Sequence, residues 1–184
     1  MAFRPGKIVK RLDIGGRKVV FRYPRWEDFD DLLRHINGLV EERALIGAQK
    51  RKTENDEKEW LTEVFKRMNN GTKICLVAVV DGKLAGEGGV TRSGLDANSH
   101  VGSVGIGLGK GYRGIGIGSE LMKALIEEAK RVLGLKVLTI SYYEHNEAAK
   151  RAYEKAGFRE TGRIPNGCNY YGKFYDEVIM AMQL

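Results

Sequence analysis

Two cysteines, three prolines and three histidines among 184 residues leave this chain without the means for several kinds of chemistry. Two thiols build no disulfide framework: Cys75 sits inside the apolar run Ile74 to Val80 and reads as core, while Cys168 falls in a loop, and neither reads as a nucleophile. His35, His100 and His145 are scattered without metal-ligand spacing, so no metal is expected. No stretch approaches the ~18 consecutive apolar residues of a membrane span. Met1 to Gly6 also lacks the apolar middle of a signal peptide, so a cytoplasmic protein away from the membrane is expected. Few Gln and Cys beside abundant Lys, Arg and Glu lean toward a thermophilic source.

A 42% apolar content over this length supports one buried core, read as a single domain over 1–184 without linkers or repeats. Lys and Arg number 31 against 24 Asp and Glu, a net charge of +7 that suits an anionic partner. Lys50-Arg51-Lys52 is the only short basic cluster and carries no interleaved aromatics, which argues for a solvated loop and against a nucleic-acid surface.

Glycine is plentiful, and it concentrates between residues 104 and 119. Val104, Ile106 and Leu108 alternate with Gly105, Gly107 and Gly109, so a strand there has an apolar face toward the core and a bare face for close approach by a ligand or another backbone. Gly114, Gly116 and Gly118 then precede Leu121, Met122, Leu125, Ile126, Ala129, Val132 and Leu133 at helical spacing, with Gly134 as a stop. The unpaired N–H groups of such a helix start form an anion site, so Arg113 with the backbone of Gly114, Ile115, Gly116, Ile117, Gly118 and Ser119 is expected to bind phosphate. Gly109-x-Gly111-x-x-Gly114 also matches the dinucleotide fingerprint, but it lies mid-chain and the next strand ends in Ser141-Tyr142-Tyr143 before Glu144. A nicotinamide oxidoreductase therefore ranks last.

Flanking signals order the rest. A hairpin within 7–23 turns at Gly15-Gly16; Trp26 to Val40 is a first helix; Thr53-x-x-Asp56 caps a second; Asp81-Gly82 joins strands Lys73 to Val80 and Leu84 to Thr91. A phase shift between Val101 and Val104 predicts a bulge near Gly102-Ser103. A strand from Lys136 to Tyr142, a helix from Asn146 to Ala156, a strand from Phe158, a loop from Ile164 to Gly172 and a last strand from Phe174 to Met182 complete the chain.

Arg113-x-x-Gly116-x-Gly118 ahead of an amphipathic helix resembles the acetyl-CoA pyrophosphate motif of the GNAT superfamily of N-acetyltransferases, although Gly109-Lys110-Gly111 departs from the usual turn before it. Asn146 to Phe158, with Tyr153 and Gly157 inside it, is similar to the family's next motif. The resemblance implies an α+β fold: a mixed, mostly antiparallel sheet of about seven strands with flanking helices and a splayed central pair, residues 101–109 and 136–142. It implies acetyl-CoA as cosubstrate in that gap, held by the main chain of Ile106, Gly107 and Leu108 and by Asn146. Tyr153 would lie near the thioester sulfur as general acid. Some members carry a base five residues before the Asn, where this chain has Ser141, so Glu87 and Glu144 are the candidate bases. The acceptor would be a primary amine, whether a small amine, an amino acid or a protein N-terminus, chosen by segments 41–52, 93–99 and 165–173. A non-catalytic acyl-CoA-binding module is the alternative, and a homodimer is compatible with all of this.

Overall fold

The computed structural model describes residues 3–184. Strand β1 (Ile8–Ile14) turns into β2 (Arg17–Arg22) through Gly15 and Gly16, both at positive φ, the geometry a two-residue primed turn requires. Helix α1 (Phe29–Glu41) and helix α2 (Glu54–Asn69) follow, and α2 starts at a capping box in which Thr53 Oγ1 accepts from Asp56 N while Asp56 Oδ2 accepts from Thr53 N. Then come β3 (Lys73–Val80), β4 (Lys83–Arg92) and β5 (Val101–Leu108), helix α3 (Ile117–Leu133), β6 (Val137–Tyr143), helix α4 (Glu147–Ala156), β7 (Arg159–Tyr170) and β8 (Lys173–Gln183).

The strands form one mixed sheet in the order β1-β2-β3-β4-β5-β6-β8-β7, antiparallel throughout except for β5 beside β6. It has eight strands where about seven were expected, because the N-terminal hairpin contributes two. Helices cover both faces. A Cβ on Gly88 would meet Leu125 of α3, whereas one on Gly107 would meet Leu39 of α1, which fixes the even-numbered face of β4 and β5 toward α3 and the odd-numbered face toward α1. Leu121, Ala124, Leu125 and Ala129 of α3 are fully buried against β3, whose Ile74 to Ala78 are inaccessible to solvent. No helix among the described residues is long and apolar enough to cross a membrane.

The feature that positions the site is a divergence. β5 pairs with β6 only from Val101↔Val137 to Ser103↔Thr139. Beyond that, β5 stays on β4 as far as Gly86↔Leu108, while β6 stays on β8 as far as Tyr143↔Glu177. A wedge opens between them, as the family resemblance implies.

Two sequence expectations are corrected. The β4–β5 register runs unbroken from Gly86↔Leu108 to Arg92↔Gly102, so the bulge near Gly102-Ser103 is absent. Gly102 breaks the apolar phase for another reason: it faces the core where a Cβ would lie 2.5 Å from Leu135 Cδ1 and 3.1 Å from Val90 Cγ1. The segment Ile164 to Gly172 is largely strand, not loop, since β7 runs to Tyr170 and absorbs Pro165, Asn166 and Gly167 in an irregularity between Ile164 and Cys168. β7 is the sheet edge, where a proline costs no ladder bond.

Close packing of β4 on β5 generates a test. A Cβ on Gly86 would sit 2.2 Å from the backbone oxygen of Gly107, whereas one on Gly105 meets nothing within 4 Å. Gly86→Ala should lower the unfolding free energy by about 3 kcal/mol, and Gly105→Ala should leave it unchanged or raise it by up to about 1 kcal/mol. Urea denaturation checks both, and equal effects would contradict the register.

Candidate active site

The wedge holds a cleft of about 800 Å³ whose walls come from four elements. Ile106, Gly107 and Leu108 of β5 supply one side, Arg113, Gly114, Gly116, Gly118, Ser119 and Met122 the base, α4 the opposite side, and Glu42 to Ile46, just past α1, the roof. The volume matches small-ligand sites.

At the base, α3 begins at Gly116 in a left-handed conformation (φ 94°), and no side chain caps its first turn. Its leading N–H donors therefore open onto the cleft. The glycines serve the backbone as much as any ligand: Gly114 and Gly116 have positive φ, and a Cβ on Gly118 would lie 3.3 Å from Leu108 Cδ1, so that residue sets how closely α3 approaches β5. Among the expected contacts, Ile115 and Ile117 do not line the cleft; Ile115 is exposed and Ile117 is wholly buried in the core, so only their backbone is available. The bare face of β5 is also differently occupied than its pattern implies. Leu39 and His35 of α1 pack at Gly107, and the cleft runs along the strand's edge instead.

Arg113 is already engaged. Its Nε donates to the Leu108 carbonyl at 2.7 Å, and its guanidinium pairs with the carboxylate of Glu42 at the end of α1. The Leu108 carbonyl thus faces the wedge, away from β4.

On the far side, α4 buries none of its residues fully, so its small face of Ala149 and Ala152 stands beside open space. Asn146 caps this helix, its Oδ1 accepting from Ala149 N at 3.1 Å, and also lines the cleft. Tyr153 lies one helical turn after Ala149, its ring 6.0 Å from that of Tyr142 and 6.3 Å from that of Phe158. Its hydroxyl has no hydrogen bond among the described residues, and burial pushes its pKa up to about 12, so it carries its proton at neutral pH.

The two candidate bases are placed very differently. Glu144 is exposed at the end of β6, and its Oε1 accepts from Asp176 N at 3.3 Å, outside the cleft. Glu87 sits directly opposite Gly107 on the α1-facing side of the sheet. Its carboxyl is pushed up by burial, against the pull of the Lys73 charge, and Cys75 Sγ lies 3.9 Å from its Oε2. Glu87 is adjacent to the cleft and not on its lining, because His35 and Leu39 intervene at Gly107. Burial, reinforced by the Arg113 charge, holds His35 below the usual imidazole range, and its buried Nε2 has no partner among the described residues. Nothing in the spacing of the sequence marks His35, since α1 is brought over Gly107 by tertiary packing alone.

The roof and the residues just after it are fastened to the end of β6 and to the β7–β8 turn. Tyr171 N donates to Gln49 Oε1 at 2.9 Å, Tyr143 Oη donates to the Ile46 carbonyl at 3.0 Å, and Tyr170 Oη donates to the Arg43 carbonyl. Segments 41–52 and 165–173 therefore touch, but only Glu42 to Ile46 border the cleft and no residue of 165–173 does. Segment 93–99 does not either: Arg92 ties it to the carbonyls of Ser99 and Leu133 at the far end of α3, and none of its residues borders the cleft.

Comparison with known proteins agrees with this fold. The family model described as an acetyltransferase (GNAT) domain matches residues 18–159. A GNAT-family acetyltransferase of Streptococcus pneumoniae superposes with a TM-score of 0.80 at 27% identity, over 90% of this chain and 99% of that one. The ribosomal-protein-alanine N-acetyltransferase of Brucella melitensis gives 0.79 at 25% identity, over 89% and 99%. Among curated sequences, the L-amino acid N-acetyltransferase AaaT of Escherichia coli is 27% identical over 106 residues, 58% of this chain and 65% of its own.

Glu57 of α2 provides a pH test of this interior. It is buried, and burial together with the Glu87 charge pushes its carboxyl from 4.5 to about 7, with Lys52 opposing. Between those values the folded state binds more protons than the unfolded state, so stability is greatest below the unfolded pKa and falls as pH rises through the window. Raising the pH from 4.5 to 7.5 should cost the wild type up to about 3 kcal/mol that Glu57→Gln does not lose. Urea melts across that range check it.

Proposed function

We propose that this chain, which belongs to the GNAT acetyltransferases, binds acetyl-CoA along the open edge of β5 and transfers the acetyl group directly to a primary amine. The observation that carries this reading is a continuous cleft leading from the uncapped start of α3, past the unpaired edge of β5, to Tyr153.

The N–H groups at the start of α3 hold the pyrophosphate, with Arg113 adding charge-assisted contact once it leaves Glu42. Edge groups of Ile106 and Leu108 pair with the pantetheine amides as an added strand would, with Gly107, bonded to β4, between them, and Asn146 reaches the same arm from α4. A main-chain N–H near Leu108 polarises the thioester carbonyl. Glu87, set back from the lining, takes the proton of the incoming ammonium through a bridging water, and the amine nitrogen attacks the carbonyl carbon. Tyr153 hands its proton to the sulfur as the C–S bond breaks. Two protons leave the nitrogen: one replaces that lost by Tyr153, and the other is released through Glu87. No covalent enzyme intermediate is involved.

Hydrogen bonds from Tyr170 and Tyr143 to the roof carbonyls of Arg43 and Ile46 support a covered acceptor end, which favours a small amine or amino acid over the N-terminus of a folded protein. AaaT, named for L-amino acids, supports that class.

Tyr153→Phe keeps the ring against Tyr142 and Phe158 and removes only the proton donor. Acetyl-CoA binding by calorimetry should stay within a few-fold, while single-turnover acetyl transfer to a panel of L-amino acids should fall by about 10²–10⁴. Native single-turnover rates would remove Tyr153 from the mechanism. Glu42→Gln should instead tighten acetyl-CoA binding by about 5-fold, because Arg113 no longer has to abandon a charged partner. Weakened binding would show that the Arg113–Glu42 pair organises the site.

A further inference from the structure

Helices α2, α3 and α4 all end on a glycine. The chain leaves them through Gly71, Gly134 and Gly157, each at positive φ, where a residue without a Cβ is least strained. Helix α1 ends differently. Arg43 N donates to the Val40 carbonyl at 3.0 Å and Ala44 N to the Leu39 carbonyl at 2.9 Å, the two bonds of a Schellman motif, and the left-handed residue of that motif is Arg43 itself, at φ 50°. An arginine in this conformation is strained where glycine would not be, and it persists only if its surroundings hold it there.

They do. The guanidinium carbon of Arg43 lies 5.0 Å from the centroid of the Tyr171 ring, and Tyr171 is also a non-glycine residue at positive φ, 49°. Tyr171 Oη donates to the Val40 carbonyl at 3.5 Å and Tyr170 Oη to the Arg43 carbonyl, so the end of α1 and the β7–β8 turn brace one another around this stack. The ring covers the guanidinium, yet among the described residues no oxygen accepts from its N–H groups and no carboxylate pairs with it.

Arg43 also borders the cleft, and its place there sets it apart from the other cations. Lys110 and Arg113 stand near the start of α3, while Arg151 and Lys155 stand on α4, so all four belong to the walls along which acetyl-CoA is placed. Glu42 is the only acid on the lining among the described residues, and Arg113 already holds it. Consecutive roof residues thus part company: Glu42 turns to the cofactor wall and Arg43 to the β7–β8 turn.

We propose that Arg43 is a specificity residue for an acceptor that carries a carboxylate, its N–H fork pairing with the carboxylate of an amino acid whose amine meets the thioester. Stacking on Tyr171 fixes a planar guanidinium before the acceptor arrives, and its N–H groups match a carboxylate bidentately. Glycine would suit the backbone better, but it would leave that carboxylate without a partner. The inference rests on reading the cleft as an acetyl-transfer site, and it narrows the acceptor from primary amines in general to amino acids.

The test compares L-amino acids with their carboxamides, which keep the amine and side chain and lose the negative charge. Arg43→Gly suits the local φ, Arg43→Gln keeps a polar side chain, and thermal melts confirm that each is folded. In both variants the ratio of kcat/KM for acid to kcat/KM for amide should fall by at least about 10-fold relative to the wild type, with acetyl-CoA affinity by calorimetry within a few-fold. A smaller fall in a folded variant overturns the proposal, and if acetyl-CoA affinity collapses while the ratio holds, Arg43 belongs to the cofactor instead. If the wild type transfers no acetyl group to any acid or amide, the acetyl-transfer reading fails on its own. The same acid-to-amide ratio is then read from calorimetric binding to the chain saturated with CoA, where the absence of any bound acid overturns the carboxylate site as well.

Discussion

The whole arrangement depends on how little of β5 is bonded to β6. Three residue pairs join them, ending at Ser103↔Thr139, and then each strand follows a different partner. β4 holds β5 in full register to Leu108, while β8 holds β6 to Tyr143, so both strands are well paired on one side and open on the other. An open main-chain edge in a protein interior would normally be a liability. Here it faces a cleft bordered by the start of α3 and by a small-residue face of α4, and a ligand with amides and phosphates satisfies what the protein leaves unpaired.

Side chains become sparse along this path because the backbones approach one another closely. Gly86 lets β4 lie against the Gly107 carbonyl, Gly102 lets β5 pass under Leu135, and Gly118 lets α3 close on Leu108. Each removes a Cβ for packing, and together they bring the α3 N-terminus to the end of β5. The same economy leaves Arg113 free to bridge from the Leu108 carbonyl to Glu42, linking the cofactor wall to the roof that borders the acceptor end. A ligand that takes Arg113 away from Glu42 necessarily alters the tether of that roof.

Local chemistry made much of this legible from residues alone. The hairpin at Gly15-Gly16, the capping box of α2, the Gly157 stop and the order of strands and helices all follow from turn residues and periodicity. The glycine-rich start of α3 and the neighbouring Asn146 and Tyr153 are short-range motifs, and they converge on one cleft. What the sequence did not disclose arises at long range. Gly102 mimics a bulge because the pattern cannot show Leu135 above it. Pro165 to Gly167 mimic a loop because an edge position tolerates them. His35 and Glu57 carry no motif, and only the packing of α1 and α2 on the sheet brings them toward Glu87 and Gly107.

The central claim is that the uncapped α3 start and the free edge of β5 form one acetyl-CoA site. Backbone amide shift mapping on the ¹⁵N-labelled chain, titrated with acetyl-CoA, tests it most directly. The account predicts that the largest perturbations fall on Leu108 and on Gly114 through Ser119, with a second group at Asn146 through Tyr153 and little change along β1 and β2. Perturbations centred elsewhere, or none at saturating acetyl-CoA, would contradict it.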